Sequence, residues 1–289
     1  MRDMRTRFSL LVDLTRLRMS LFVTFSAWAG FILASKELSK GVYPLLLGVF
    51  LLASGASGLN QYQERREDQR MERTKGRPIP SGNLSPSLAL KLSLLLLLLG
   101  FSILWIGSSR IALGLGIFAM LWYNGIYTPL KKRTVLAILP GALVGAIPPA
   151  IGWFSGGGRP DGQLLAIAFF FFIWQIPHFW LLLLDYRRDY EKAGFPAVTQ
   201  TWGLNQTGKI LFVWILATAV AGLLTPLFGV ISSDAIFGGL VILTLWLIWN
   251  AWKRLLNHPL SSPFHPAFRV VNIYILTAMV LFSLDHLLY

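Results

Sequence analysis

The 289-residue chain contains no cysteine. Disulfides, thiolate metal sites and covalent haem attachment through Cys-x-x-Cys-His are therefore excluded. Acidic residues are also scarce, 13 against 26 Lys and Arg, which leaves a net charge of +13. Charged residues of either sign make up only 13% of the chain, and 55% is hydrophobic. The strand alternation of a membrane barrel is missing. No cleavable signal peptide stands out either, because the apolar run from Leu17 reads as a spanning helix.

What is present is a succession of apolar runs, each near the ~20 residues needed to cross a bilayer. Nine are expected, over 17–35, 42–60, 87–107, 110–128, 135–154, 163–184, 209–230, 234–252 and 268–288. A helix satisfies its own backbone hydrogen bonds in lipid. The expected fold is thus all-α, one transmembrane domain over 1–289. On a nine-helix topology, 22 of the 26 Lys and Arg fall on one side. The positive-inside rule puts that side, with the N-terminus, in the cytoplasm and Tyr289 outside. With no presequence, a bacterial inner membrane is the expected location. Basic residues spread over several loops serve topology and the lipid surface, and do not form a nucleic-acid face.

The few acids are concentrated. In NQYQERREDQRMERTKGRPIPSG, residues 60–82, Asn60, Glu64, Asp68 and Glu72 stand at four-residue steps just past an apolar run. If the helix continues, they share one face, and like charges so placed call for a cation. That cation is either a neighbouring arginine or a metal. Oxygen donors at a water-facing end suit Mg²⁺ held jointly with substrate phosphates. Arg65, Arg66, Arg70, Arg73, Lys75 and Arg77 offer phosphate donors, and the Arg77-Pro78-Ile79-Pro80 turn is expected to fix Arg77. The competing reading is a solvated loop whose arginines only set topology. Asp185 and Asp189 repeat the four-residue step at another helix end on the same side, and the two stretches together favour a metal cluster.

Other residues fill in a site beside that cluster. Asn124 and Tyr127 precede Lys131 and Lys132, where interface anchoring is the alternative to a role in the site. Pro148-Pro149 is expected to bend the fifth span into a cavity wall. Gln175 and His178 are polar groups within an apolar span, which points to function unless the histidine is merely satisfied inside the core. Asp285-His286 is expected to cap or pair locally, and His258 and His265 are further candidates for haem or metal contact.

The segments NQYQERREDQRMERTKGRPIPSG, YTPLKKRTVLAILPGALVGAIPPAIGW, WQIPHFW, DYEKAGFP and FRVVNIYILTAMVLFSLDH occur in this order from the second span to the end. Together they resemble the UbiA superfamily of intramembrane prenyltransferases, and within it the branch that farnesylates protohaem. The resemblance implies a nine-helix bundle whose central cavity opens to the cytoplasmic side. It also implies Mg²⁺ as cofactor, farnesyl diphosphate as donor, haem B as acceptor and haem O as product. Haem A synthase or terminal-oxidase assembly proteins are the further partners it suggests. Metal and catalytic roles carry over to Asn60, Glu64, Asp68, Asp185 and Asp189. Arg73, Arg77, Lys131 and Lys132 become diphosphate contacts, and Tyr127, Gln175 and His178 are assigned to the acceptor. Three departures stand out: Glu64 for the more usual Asp, Arg66 for a frequent acid, and Ala197-Val198-Thr199 for Met-Leu-Pro. Three other readings are a relative that prenylates an aromatic quinone precursor or a lipid, a haem-binding assembly protein without catalysis, which leaves the acidic pair unexplained, and a transporter. A transporter predicts polar pairs at mid-membrane on broken helices, whereas these acids gather at helix ends.

Overall fold

The computed structural model describes residues 2–37, 39–196, 198–256 and 264–288, with the side chains of 2–7 and 198–201 excepted. Ala197, His258 and Tyr289 therefore lie outside the described residues. In chain order the helices are α1 (Arg2–Thr15), α2 (Leu17–Ser35), α3 (Val42–Gln63), α4 (Arg65–Asp68), α5 (Pro86–Gly107), α6 (Arg110–Leu121), α7 (Thr128–Leu130), α8 (Ile138–Ser155), α9 (Gly162–Asp185), α10 (Arg187–Lys192), α11 (Val198–Leu223), α12 (Asp234–Leu255) and α13 (His265–Leu288). A π-helical turn, Trp122–Tyr127, joins α6 to α7.

Among the described residues nine helices are long and apolar enough to cross a membrane. Eight of these spans begin within three residues of the expected position. The seventh is the exception: it runs Trp202–Leu223, not 209–230. The apolar stretch Thr225–Phe228 forms a 3₁₀ turn closed by Gly229 at φ 74°, so hydropathy overran the helix end. At the other end, Asn205 and Gln206 precede the expected start but lie inside the span, just past the Gly203 kink at φ 68°.

Helix starts are set by short polar caps. Ser85 Oγ accepts from Leu88 N with Pro86 in the first turn, and Ser109 and Asp161 act likewise for α6 and α9. Each span packs on the next, and α13 returns to α2, so the helices close into a bundle with α2 also lying against α8. Glycine allows that last contact. A Cβ at Gly30 would land on the Pro149 carbonyl, and one at Gly152 on the Ala27 carbonyl, so backbone meets backbone. The helix α8 continues through Pro148 and Pro149, both buried. Pro lacks an N–H, so the carbonyls of Val144 and Gly145 lose their i+4 partners.

At the end of the bundle away from the basic loops, Asp285 is 1% exposed. Its carboxylate accepts from Ser232 N (2.8 Å) and Ser233 N (2.9 Å), at the start of α12. His286 Nδ1 lies 3.2 Å from Phe282 O. His286 pairs locally, as expected, whereas Asp285 reaches across to cap another helix more than fifty residues away. Asp285→Ala would strand two part-buried amides that water can partly satisfy, at no more than about 1–3 kcal/mol each. The expected result is an unfolding midpoint in detergent lower by several degrees, with the site at the basic end unchanged.

Candidate active site

The last turn of α3 delivers the first acidic stretch. Glu64 N donates to Asn60 O (2.9 Å) and Asp68 N to Glu64 O (2.8 Å), so the four-residue step survives although α3 proper stops at Gln63. Asn60, Glu64 and Asp68 are 0%, 3% and 1% exposed. Glu72 departs from the expectation. The chain leaves the helix after Asp68, and Glu72 pairs in solvent with Lys75.

Each buried acid holds a cation of the protein itself. Arg77 Nη1 donates to both Asp68 oxygens, at 2.8 and 2.7 Å. Lys131 Nζ sits 2.6 and 2.8 Å from the two Glu64 oxygens. Lys132 Nζ lies 2.7 Å from Glu67. Burial, together with nearby Arg16, pushes Arg77 down to about 10 against the opposing pull of Asp68. Burial also acts to lower Lys131, but Glu64 outweighs it and holds the ammonium above its ordinary value.

Arg16 belongs here too, although nothing in its sequence context marks it for the site. Its Nη2 donates to Asn60 Oδ1 (3.1 Å), while Asn60 Nδ2 donates to Thr128 Oγ1 (3.0 Å). Arg16 joins α1 to α2 in the left-handed conformation, φ 47° and ψ 55°, which is sterically costly for any side chain. Gln61 holds this turn, its Nε2 donating to Asp13 O and Leu14 O, each at 2.8 Å. The detectable signal is indirect: a Gln beside Asn60 with no role in the four-residue step.

The second acidic stretch divides. Asp189 Oδ2 accepts from Arg73 N (2.9 Å), and the Arg73 guanidinium lies over the Tyr186 ring, 4.6 Å from its centre. Met71 packs with Ala193 and Phe195 in a small buried cluster beneath the same contact. The loops after α3 and α9 are thus clasped together. Asp185 is turned elsewhere: it accepts from Phe264 N (3.0 Å) and faces His265 Nδ1 (3.1 Å), fixing the start of α13. The structure therefore brings Asp189, but not Asp185, to the first stretch. Among the described residues no three carboxylates or imidazoles are gathered closely enough to grip a metal. The donor chemistry nonetheless fits a hard divalent ion, because Asn60, Glu64, Asp68 and Asp189 offer only oxygen and the buried carboxylates already require counter-cations.

Beside the acids stands an aromatic wall. The π-turn is docked on α3 by Asn124, whose Nδ2 donates to Ala56 O and Gln63 Oε1 while Gln63 Nε2 donates to Asn124 O. The Asn124 amide nitrogen is spent on that docking, while its Oδ1 is buried without a partner among the described residues. The turn aims Tyr127 inward, and Gly141 on α8 makes room for it, since a Cβ there would come within 2.7 Å of the ring. Lys131 Nζ is 5.4 Å from the Tyr127 ring centre. From Tyr127 the rings run to Phe179 (6.0 Å) and on to His178 (5.5 Å), which touches Trp174 and Phe268 at 4.9 Å each. Gln175 lies over Gly145, one turn before His178 on the same face of α9. The arrangement joins an anion-handling end, rich in paired charge, to an apolar aromatic lane carrying two polar side chains.

Comparison with known proteins agrees with this geometry. The profile of the UbiA prenyltransferase family matches residues 23–273. The chain is 41% identical over 220 residues to the protoheme IX farnesyltransferase of Geobacter sulfurreducens, covering 76% of this chain and 81% of that one. It is 33% identical over 277 residues to the protein of the same name from Oleidesulfovibrio alaskensis, covering 95% of each. Among solved structures, a digeranylgeranylglyceryl phosphate synthase superimposes with a TM-score of 0.78 at 14% identity, covering 99% of both chains. A UbiA homologue from Archaeoglobus fulgidus bound to GPP and Mg²⁺ gives 0.75 at 14% identity, covering 96% of this chain and 99% of that one. These two likenesses speak to the fold alone. With nine spanning helices, buried acids at one end and a family match over most of its length, the chain belongs to the UbiA prenyltransferase family.

Proposed function

We propose that the protein transfers the farnesyl group of farnesyl diphosphate to a vinyl group of protohaem IX (haem B), giving haem O, in a bacterial inner membrane. The observation that carries this reading is the identity to protoheme IX farnesyltransferases across nearly the whole of both chains. The product would pass to haem A synthase or to terminal-oxidase assembly proteins.

The site supports the chemistry as follows. Asn60, Glu64, Asp68 and Asp189 would hold Mg²⁺, with Asp185 joining once it releases Phe264 and His265. When bound, the metal neutralises the diphosphate and stabilises it as a leaving group. Arg77 and Lys131, released from Asp68 and Glu64, together with Lys132 and Arg16, donate to diphosphate oxygens as the allylic C–O bond breaks. Arg73 contributes from the clasp over Tyr186. Tyr127 and Phe179 present ring faces to the allylic cation and keep bulk water from it. The terminal vinyl carbon supplies the electron pair for the new carbon–carbon bond, so no Ser, Cys or general base is needed. Water then adds at the adjacent carbon and loses a proton to solvent, completing the hydroxyethylfarnesyl group. Gln175 and His178 face the acceptor.

Membranes containing the protein, given farnesyl diphosphate, Mg²⁺ and protohaem, are expected to form haem O by mass, and EDTA is expected to abolish it. Mg²⁺-dependent prenylation of an aromatic acid, with no haem product, would instead move the acceptor to a quinone precursor. Lys131→Ala leaves Glu64 buried without its partner and removes a phosphate donor. Turnover is expected to fall about 100-fold, read as the initial rate of haem O formation.

A further inference from the structure

At the far end of the aromatic lane, α9 meets α13. His178 is only partly buried, and its Nδ1 lies 2.7 Å from Asn272 Oδ1. The Asn272 amide is oriented by a second bond, because its Nδ2 donates to Phe268 O at 2.8 Å. The oxygen facing His178 is therefore an acceptor, and Nδ1 must carry the proton. A neutral imidazole protonated at Nδ1 keeps its lone pair on Nε2. That nitrogen has no hydrogen-bonding partner among the described residues. One turn earlier, the Gln175 amide is likewise without a hydrogen bond there and only partly buried. Trp174, Phe179 and Phe268 surround the imidazole and hold its plane.

A histidine fixed through Nδ1 by an oxygen acceptor, with Nε2 bare and flat aromatic surfaces around it, is built as a metal ligand. Second-shell acceptors of this kind set the tautomer and raise the ligand's basicity. We propose that His178 Nε2 ligates the iron of the haem acceptor, and that Asn272 is the positioning residue that keeps it available. The inference rests on haem being the acceptor. It adds what the reaction alone does not require, an anchor on the iron rather than on the reacting vinyl group. The ring contacts from His178 through Phe179 to Tyr127 and Lys131 then tie the anchored porphyrin to the diphosphate end. Iron ligation would also select haem over metal-free porphyrin.

The test uses the full-length protein in nanodiscs with protohaem added. Resonance Raman spectra of the ferrous form are expected to show an iron–histidine stretching band. His178→Gly should lose that band, bind haem more weakly but protoporphyrin IX equally well, and regain an iron–imidazole band when imidazole is supplied. Asn272→Leu should retain a shifted band and weaken haem binding about 10- to 100-fold, with protoporphyrin affinity unchanged. An unaltered band in His178→Gly, or equal loss of haem and protoporphyrin binding, overturns the proposal. Wild-type protein that forms haem O without any iron–histidine band also overturns it, while the farnesyltransferase reading stands. Wild-type protein that neither binds nor farnesylates protohaem overturns that reading and this inference with it.

Discussion

Asp68→Asn is expected to lower haem O formation by about 10²–10³-fold or more. Asp68 is the most engaged acid of the site, 1% exposed and gripped through both oxygens by Arg77. Asparagine keeps the shape and one acceptor for Arg77, so the Pro78-Ile79-Pro80 turn should stay in place. It removes the charge that would meet the metal. Breaking a buried ion pair can cost about 3–5 kcal/mol. Here the Arg77 side chain is 18% exposed, and the loss is correspondingly smaller. A mass-spectrometric rate measurement checks the first effect, and an unfolding curve in the same detergent shows that the protein is still folded. Full activity in the variant would remove Asp68 from the site.

The second large effect is structural. Gly152→Ala is expected to prevent α2 and α8 from packing, because the added carbon would fall on the Ala27 carbonyl. Overpacking a core usually costs about 1–3 kcal/mol, since side chains can move aside. Here the obstacle is backbone, and it cannot rotate away. The same contact recurs one helical stretch earlier at Gly30 and Pro149, so relaxation at one point strains the other. The expected observation is a large loss of monodisperse protein on extraction. Gly114→Ala is the control, because nothing lies within 4 Å of its added carbon. Equal yields for the two variants would contradict the packing argument.

Hydropathy made the spans legible because lipid imposes length and apolarity on every crossing segment. It misplaced the seventh because Leu224, Pro226, Leu227 and Phe228 are apolar but lie past the α-helix, in and beside a 3₁₀ turn. Spacing found Asn60, Glu64 and Asp68 because a four-residue backbone bond repeats there, and it failed at Glu72, where that repeat stops. The same rule paired Asp185 with Asp189, yet the first caps α13 and the second meets Arg73, contacts between residues 79 and 116 positions apart that no local pattern encodes. Arg16 was hidden for a related reason. Its place depends on a left-handed turn stabilised by Gln61, a residue 45 positions away.

The buried acids are neutralised in advance by Arg77 and Lys131, and this affects the order of assembly. A lone divalent cation must displace ammonium and guanidinium groups that then have no anion to receive them. A lone diphosphate must draw those groups away from carboxylates left bare. Arriving together, the two exchange partners with the protein at little electrostatic cost. Each ligand should therefore raise the other's affinity by the same factor, as linkage requires. Calorimetric titration of Mg²⁺ should be weak without a prenyl diphosphate and tight with a non-reactive analogue. The protein would behave as an ion exchanger tuned to a salt, with free metal and free diphosphate both poorly held.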